Sequence, residues 1–295
     1  MLSCPISVGT VTGDTPCCRL AATHHPVARR RRYPTDLTDA QWAVIDPLLP
    51  DPPWFTGQGG RPEKHCRRLV VDAILYTVDN GIKWRALPAD FPPWNTVYQR
   101  FAAWELAGAS QRLLDILRDR VRLKTGRAVA PSAGVIDSQS LRAAPTVGRD
   151  SRGWDAAKKV QGRKRHIVVD TMGLLIAVLA TPASTHDKRA ARSLLRRVRD
   201  RAGTRFSLVW ADTGYHGAFP DWAHSTLGLA IEVVSRPRKT LFQVLPRRWV
   251  VERTLAWITG HRRCARDYER LPRHHEAVVR WAMIRTTIRR LTPQT

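Results

Sequence analysis

The chain has 295 residues, a formal net charge of +24 and a sequence pI of about 11.2. A hydrophobic fraction of 43% can fill a sizeable core, which excludes a wholly disordered polycation. A charge of this size speaks to partners: DNA phosphates suit clustered Lys and Arg, an anionic membrane surface is the rival, and the lack of any run of about 18 apolar residues argues against a spanning helix.

Residues 1–32 mix Ser, Thr, Pro and Gly and end in ARRRRR, the pattern of a disordered basic tail. They lack the apolar stretch of a secretory signal. Three of the five cysteines (Cys4, Cys17, Cys18, Cys66 and Cys264) fall in this tail. An odd number so distributed is no disulfide framework and points to a reducing cytoplasm. Cys17, Cys18, His24 and His25 match no common zinc spacing.

Organised sequence starts at LTDAQWAVIDPLLP, where Thr38 and Gln41 form a capping box and Trp42, Ile45 and Leu49 recur at helical spacing. After a Pro- and Gly-rich loop, RRLVVDAILYTVDNG predicts a helix with Leu69, Val70, Ala73, Ile74 and Thr77 inward, stopped by Asn80–Gly81. Pro92 and Pro93 block helix, and Asn95 or Thr96 is placed to cap the next one. QRLLDILRDRVRLKTG completes an all-helical region over residues 33–125. Two helices flanking a short stiff connection, the second bearing Asn95, Thr96, Gln99 and Arg100, suggest a helix-turn-helix-like DNA reader. An ordinary helical bundle is the alternative. Trp84, Trp94 and Trp104 are expected in its core.

From residue 126 to 295 the texture changes. AGVIDSQS, the pair within HIVVDTMGLLIAVLA, FSLVWAD and LAIEVVSR read as strands; DKRAARSLLRRVRDRAG, GAFPDWAHSTLG, RRWVVERTLAWITG and HHEAVVRWAMIRTTIRRL read as helices. This order predicts an α/β unit on a mixed sheet. The first and fourth strands are expected to end in Asp137 and Asp212. If they are parallel neighbours, both carboxylates emerge on one edge, and the helix carrying Glu252 can add a third. Glu252 is the only acid between Glu232 and Asp267 in an arginine-rich interval. Three carboxylates at one point repel unless cations are present, and hard oxygen donors suit Mg²⁺ or Mn²⁺. A pair of such ions serves displacement at phosphorus. Alternatively each Asp caps a turn, and Glu252 pairs with Arg248 along its helix.

VIDSQS, GRKRHIVVDTMG, VWADTGYHG and RRWVVERTLAW, in this order, resemble the DDE transposases of the four-and-five group of bacterial insertion sequences, most closely its five-type branch; WRALP and PPWNTVYQRF resemble that branch's N-terminal domain. The likeness runs from about residue 33 to about residue 290. It implies an RNase H-like catalytic domain after a helical DNA-binding domain. Asp137, Asp212 and Glu252 would then be catalytic residues and metal ligands, with two Mg²⁺ or Mn²⁺ ions. The implied activity is binding of terminal inverted repeats, strand cleavage and strand transfer. A dimer or larger synaptic complex on double-stranded DNA is expected at the bacterial nucleoid, with no small-molecule substrate. An inactive DNA-binding remnant or regulator, or a nuclease without strand transfer, are the alternatives.

The group's last signature has Tyr seven residues before the Glu, Arg four before and Lys seven after. The chain has Leu245, Arg248 and Thr259 there, so only Arg248 carries over as a DNA contact, with Arg253, Arg262 and Arg263 as compensating cations. Lys158, Lys159, Arg163, Lys164 and Arg165, near Asp137 in this reading, are expected to meet phosphate. Asp170 and Asp187 are the competing acids, with a hairpin and a helix start as their expected places; His166 and His216 are expected beside the site as hydrogen-bonding groups.

Overall fold

The computed structural model describes residues 31–234 and 248–292. The N-terminal cysteine and histidine group, residues 235–247 with Leu245 among them, and all but the end of the basic tail lie outside these. Arg32, the last residue of the expected tail, is tied to the helical region: its N–H donates to Asp36 at 3.0 Å and its guanidinium pairs with Asp90 at 3.2 Å.

Helix α1, Asp39–Ile45, starts at the expected capping box. Thr38 Oγ accepts the Gln41 N–H at 3.1 Å and Gln41 Oε1 accepts the Thr38 N–H at 3.2 Å. Helix α2, Arg67–Asn80, ends at Gly81 with φ 70°. Glycine is needed there for the left-handed turn, and an added Cβ would also lie 2.9 Å from Cβ of Arg262.

Helix α3, Trp94–Leu106, begins one residue before the expected caps. Pro93, in extended conformation, precedes it, and neither Asn95 nor Thr96 caps the helix. Trp84 and Trp104 are buried as expected, but Trp94 is 37% exposed and carries the Arg85 guanidinium 5.1 Å from its ring centroid. Trp94 is in helical register with the buried stripe of Val97, Phe101 and Trp104 but stands at N1, the first position of the helix, where that stripe begins. Helix α4, Ala109–Lys124, closes the helical region.

The six strands are β1 (Ala133–Arg142), β2 (Gly153–Asp155), β3 (Val160–Asp170), β4 (Leu175–Pro182), β5 (Leu208–Ala211) and β6 (Ala230–Val233). Antiparallel β4–β3–β1 continues into parallel β1–β5–β6, with β2 also paired to β3. Helix α5 (Asp187–Ala202) links β4 to β5, and α6 (Phe219–Leu227) links β5 to β6. The arrangement is the RNase H-like mixed sheet. It departs from the sequence reading in one respect that matters: β1 does not stop at Asp137. Ser138–Arg142 continue the strand because they pair with Gly162–His166 of a long β3.

Helices α5 and α6 cover one face through Ile136, Val168, Leu194, Val209 and Ala211. Helices α7 (Trp249–Gly260) and α8 (Pro272–Leu291) cover the other, over Val135, Ile167, Val169, Leu175 and Trp210, and this core continues without a break into α1–α4. Along α8, residues 274–285 are all buried, so the helix shows little amphipathicity. Its buried charges are paired. Glu276 accepts the Ala180 N–H at 3.0 Å and pairs with Arg197 at 2.9 Å; Arg280 pairs with Glu105 of α3 and donates to Ser110 of α4 at 3.0 Å; Arg285 donates to the Thr35 carbonyl at 3.0 Å. Among the described residues no helix is long and apolar enough to cross a membrane.

The Arg280–Glu105 pair is sequestered from solvent, so removing one partner strands a buried charge. Arg280→Ala is expected to lower urea-unfolding stability by about 3 kcal/mol, and Arg280→Met combined with Glu105→Leu to cost less than Arg280→Ala alone.

Candidate active site

Strands β1 and β5 pair in parallel as Ala133↔Leu208, Gly134↔Val209 and Val135↔Trp210. The same offset of 75 residues, carried two residues on, sets Asp137 level with Asp212. Val135 and Trp210 face the α7 and α8 side, while Ile136, Val209 and Ala211 face α5 and α6. Side chains alternate along a strand, so Asp137 and Asp212 share the α7 side. Asp212 follows the last residue of β5 and caps the short turn after it, accepting the Gly214 N–H at 2.9 Å.

Glu252 lies exposed in the first turn of α7, four residues after Arg248 at the N-cap. Val250, Val251, Thr254 and Ile258 form the buried stripe of this helix. Its seating is set by the β3–β4 turn. Thr254 Oγ1 donates to the Gly173 carbonyl at 2.9 Å and Arg253 Nη2 to the Met172 carbonyl at 3.0 Å. Gly173 has φ 80°, and a Cβ there would lie 2.7 Å from Thr254 Oγ1. Asp170 holds the same turn: it is fully buried, accepts the N–H groups of Met172 (2.8 Å) and Leu174 (2.9 Å), and pairs with Arg122 at 2.5 Å. The hairpin place expected for Asp170 is the one it has.

The Asp137 carboxyl is pushed up to about 6, chiefly by burial. The Ser138 N–H, 2.7 Å away, and the Arg248 charge act against burial, while Asp212 and Glu252 reinforce it. Asp137 therefore senses the other two acids and Arg248 together. Among the described residues no three His, Cys, Asp or Glu side chains stand as a ready-made metal-holding cluster. Carboxylates without a cation between them repel, and the donor set itself, three carboxylates and no thiol or imidazole, fits a hard divalent ion.

The basic strand differs most from expectation. Arg163 and Arg165 are fully buried and do not reach solvent as phosphate contacts. Arg163 pairs with Asp267 at 3.0 Å and donates to the carbonyls of Glu269 (2.7 Å) and Arg270 (2.9 Å). Arg165 donates to Gln139 Oε1, to the Cys264 carbonyl (2.9 Å) and to Thr259 Oγ1 (3.0 Å). Thr259, found where the family signature has Lys, thus serves as an internal acceptor. Lys164 is also buried, between Asp155 (3.4 Å) and Asp187 (3.2 Å). From Gly162 on, the segment is a strand covered on both faces rather than a solvated turn, and of its cations only Lys158 and Lys159 are exposed.

Arg248 is buried beside Asp137, and Arg253 lies between the rings of Trp249 (4.3 Å) and Trp257 (4.6 Å). Of the compensating cations, Arg263 is buried on Glu269 at 2.7 Å and Arg262 is exposed. Asn95 and Gln99 are exposed, Thr96 and Arg100 half-buried. His216 is exposed; His166 is buried, bonded to Thr181 Oγ1 at 3.0 Å, and burial brings it down to about 4 despite Asp187. Sequence reasoning missed the support behind Asp137: Ser138 Oγ donates to Asp187 at 3.0 Å on the opposite sheet face. The alternation of VIDSQS was the available signal, since it turns Ser138 away from Asp137.

Residues 37–114 match a family described as a putative transposase of the IS4/5 family, and residues 129–287 match the transposase DDE domain. The chain is similar to the "Insertion element IS402 uncharacterized 16.2 kDa protein" of Burkholderia cepacia, 32% identical over 115 residues, covering 36% of this chain and 73% of that protein. It is also similar to the "Putative transposase for insertion sequence element IS402" of Burkholderia cepacia, 28% identical over 188 residues, covering 56% of this chain and 89% of that protein.

Two outcomes are expected. A carboxyl raised above its unfolded value destabilises the fold once it must ionise, so the strain is absent below about pH 4 and complete above about pH 6. Asp137→Asn should stabilise the metal-free chain in urea by about 1–2 kcal/mol at pH 7.5, after discounting for solvent at a half-buried group, and by less at pH 5. Gly173→Ala should cost about 2 kcal/mol in the same assay through strained backbone and the clash with Thr254.

Proposed function

The chain belongs to the transposase DDE domain family of insertion sequences, and on that premise we propose that Asp137, Asp212 and Glu252 are the catalytic carboxylates of this DNA transposase. One observation carries the reading: Asp137 and Asp212 stand level on one sheet face, and Asp137 senses Glu252 and Arg248 there.

The three carboxylates would hold Mg²⁺ or Mn²⁺, which when bound activates an attacking oxygen and stabilises a leaving one at phosphorus. With a carboxyl near 6, Asp137 is mostly ionised at neutral pH and available as a donor. Arg248 offsets part of the carboxylate charge and would hydrogen-bond the scissile phosphate. In cleavage, the oxygen of water bonds to phosphorus and the bond from phosphorus to the 3′ oxygen breaks, with a proton passing to the freed 3′-hydroxyl. In transfer, that 3′-hydroxyl oxygen bonds to a target phosphorus, and the target strand's own 3′ oxygen leaves.

Binding of the element ends falls to the helical region. On α3, Asn95 and Gln99 are exposed side chains of the types that read adenine edges in a major groove. Lys158 and Lys159 add phosphate contacts from the loop before β3. Joining two ends at a target requires two active sites, so the working form is a dimer or larger complex at the nucleoid.

The test is a labelled duplex carrying the terminal repeat that flanks the gene, incubated with Mg²⁺ or Mn²⁺ and a target plasmid. Wild type should give both cut and joined products. Asp137→Asn, Asp212→Asn and Glu252→Gln should each lose at least about 10³-fold in cleavage while still binding the duplex. Variants that cut like wild type would show the site misplaced. Wild-type binding without cutting under either metal would point to a regulator, and cutting without joining to a nuclease.

A further inference from the structure

We propose that a groove on the helical region is a seat for one backbone phosphate of bound DNA, and that this seat sets the register of α3 on the duplex. The inference rests on α3 being the DNA-facing helix.

The groove, about 270 Å³, lies between the segment just before α2 and the flank of α3. Arg61, Lys64, Arg67 and Arg100 line it, with the Thr96 hydroxyl and the Glu63 carboxylate. Glu63 is buried and holds two guanidinium groups at once: Arg67 Nε at 2.7 Å and Arg100 Nη2 at 2.8 Å. One carboxylate therefore organises two of four cations, and the groove keeps a net charge of three. Arg61 and Lys64 are exposed at its mouth. At its wall, Arg67 is 2% exposed, and its Nη1 is buried with no hydrogen-bond partner.

A fixed guanidinium fork with an unused donor, two exposed cations and a hydroxyl match a phosphodiester. The neighbourhood selects DNA as its source. Thr96 and Arg100 each follow, by one residue, the exposed Asn95 and Gln99 on α3. The strip of helix that lines the groove is thus contiguous with the strip that presents amides to base edges. Phosphate contacts of this kind carry no sequence information themselves; they fix where the reading side chains fall. The buried Glu63 gives the seat rigidity, because neither guanidinium has to be ordered when DNA arrives.

The experiment is fluorescence anisotropy with the terminal duplex and with an unrelated duplex across a KCl series. Arg61→Ala combined with Lys64→Ala removes the two exposed cations and leaves the Glu63 fork in place. Arg120→Ala combined with Arg205→Ala, both exposed and outside the groove, controls for lost charge alone. The groove variant should bind both duplexes about tenfold more weakly, with the salt slope reduced by about 1, while the control keeps the wild-type slope. An unchanged affinity and slope, an equal loss in the control, or a loss confined to the terminal duplex with the slope intact would each overturn the seat. Anisotropy reads binding alone and none of these variants touches Asp137, Asp212 or Glu252, so failure of the seat would leave the assignment of the three carboxylates standing.

Discussion

The all-round burial of α8 is the constraint on which the rest of the structure depends. A helix with both sides apolar is stable in water only when two layers close over it, here α1–α4 on one side and the sheet on the other. Its ionic side chains make the arrangement specific. Glu276 ties the helix to β4 and α5, Arg280 to α3 and α4, and Arg285 to the backbone before α1. A hydrophobic contact tolerates sliding, whereas these pairs hold one register. The helical region and the sheet therefore share a core, although the chain passes from one to the other after α4.

The large positive charge divides into two populations. Arg122, Arg163, Arg165, Arg263, Arg280 and Arg285 are buried and cross-link elements through carboxylates and main-chain carbonyls, while the buried Arg67 pairs with Glu63 just before its helix and Arg118 with Asp115 and Asp119 within α4. Arg61, Lys64, Lys158, Lys159 and Arg262 face solvent. Only the second population meets a polyanion in the long-range sense. The first keeps the acid-bearing strands rigid: Arg165 spans β3, Gln139 on β1 and Thr259 on α7, two strand positions from Asp137. The site is thus framed by fixed positive charge that cannot itself collapse onto its carboxylates.

Much of this was legible in the sequence. Residue pattern identified the capping box, the helices, the hairpin at residues 171–173 and the strands bearing Asp137 and Asp212, whose parallel pairing the sequence offered only as a condition. The offset between those two acids equals the register offset of their strands, a relation that becomes visible once pairing is known. What was not legible has a common cause. A run such as GRKRH has the same composition on a solvated turn as inside a double-covered strand, and only the pairing of β3 with β1, β2 and β4 decides between them. The extension of β1 past Asp137 was hidden for the same reason, because Ser138–Arg142 are polar and are held in strand by their partner. Trp94 was misread because spacing places it in line with Val97 and Phe101 but does not say that the cover over that stripe stops short of the first position of the helix.

The turn at Gly173 has a consequence for how this protein can vary. Surface turns between antiparallel strands ordinarily absorb insertions without harm, since nothing rests on them. Here the Met172 and Gly173 carbonyls are the shelf on which α7 sits, and α7 carries Glu252, the third of the proposed catalytic carboxylates. The hairpin is therefore a spacer of set height. Lengthening it by one residue would lift the shelf, so diversification in this lineage should accumulate in the loops that nothing stands on and leave this one at constant length.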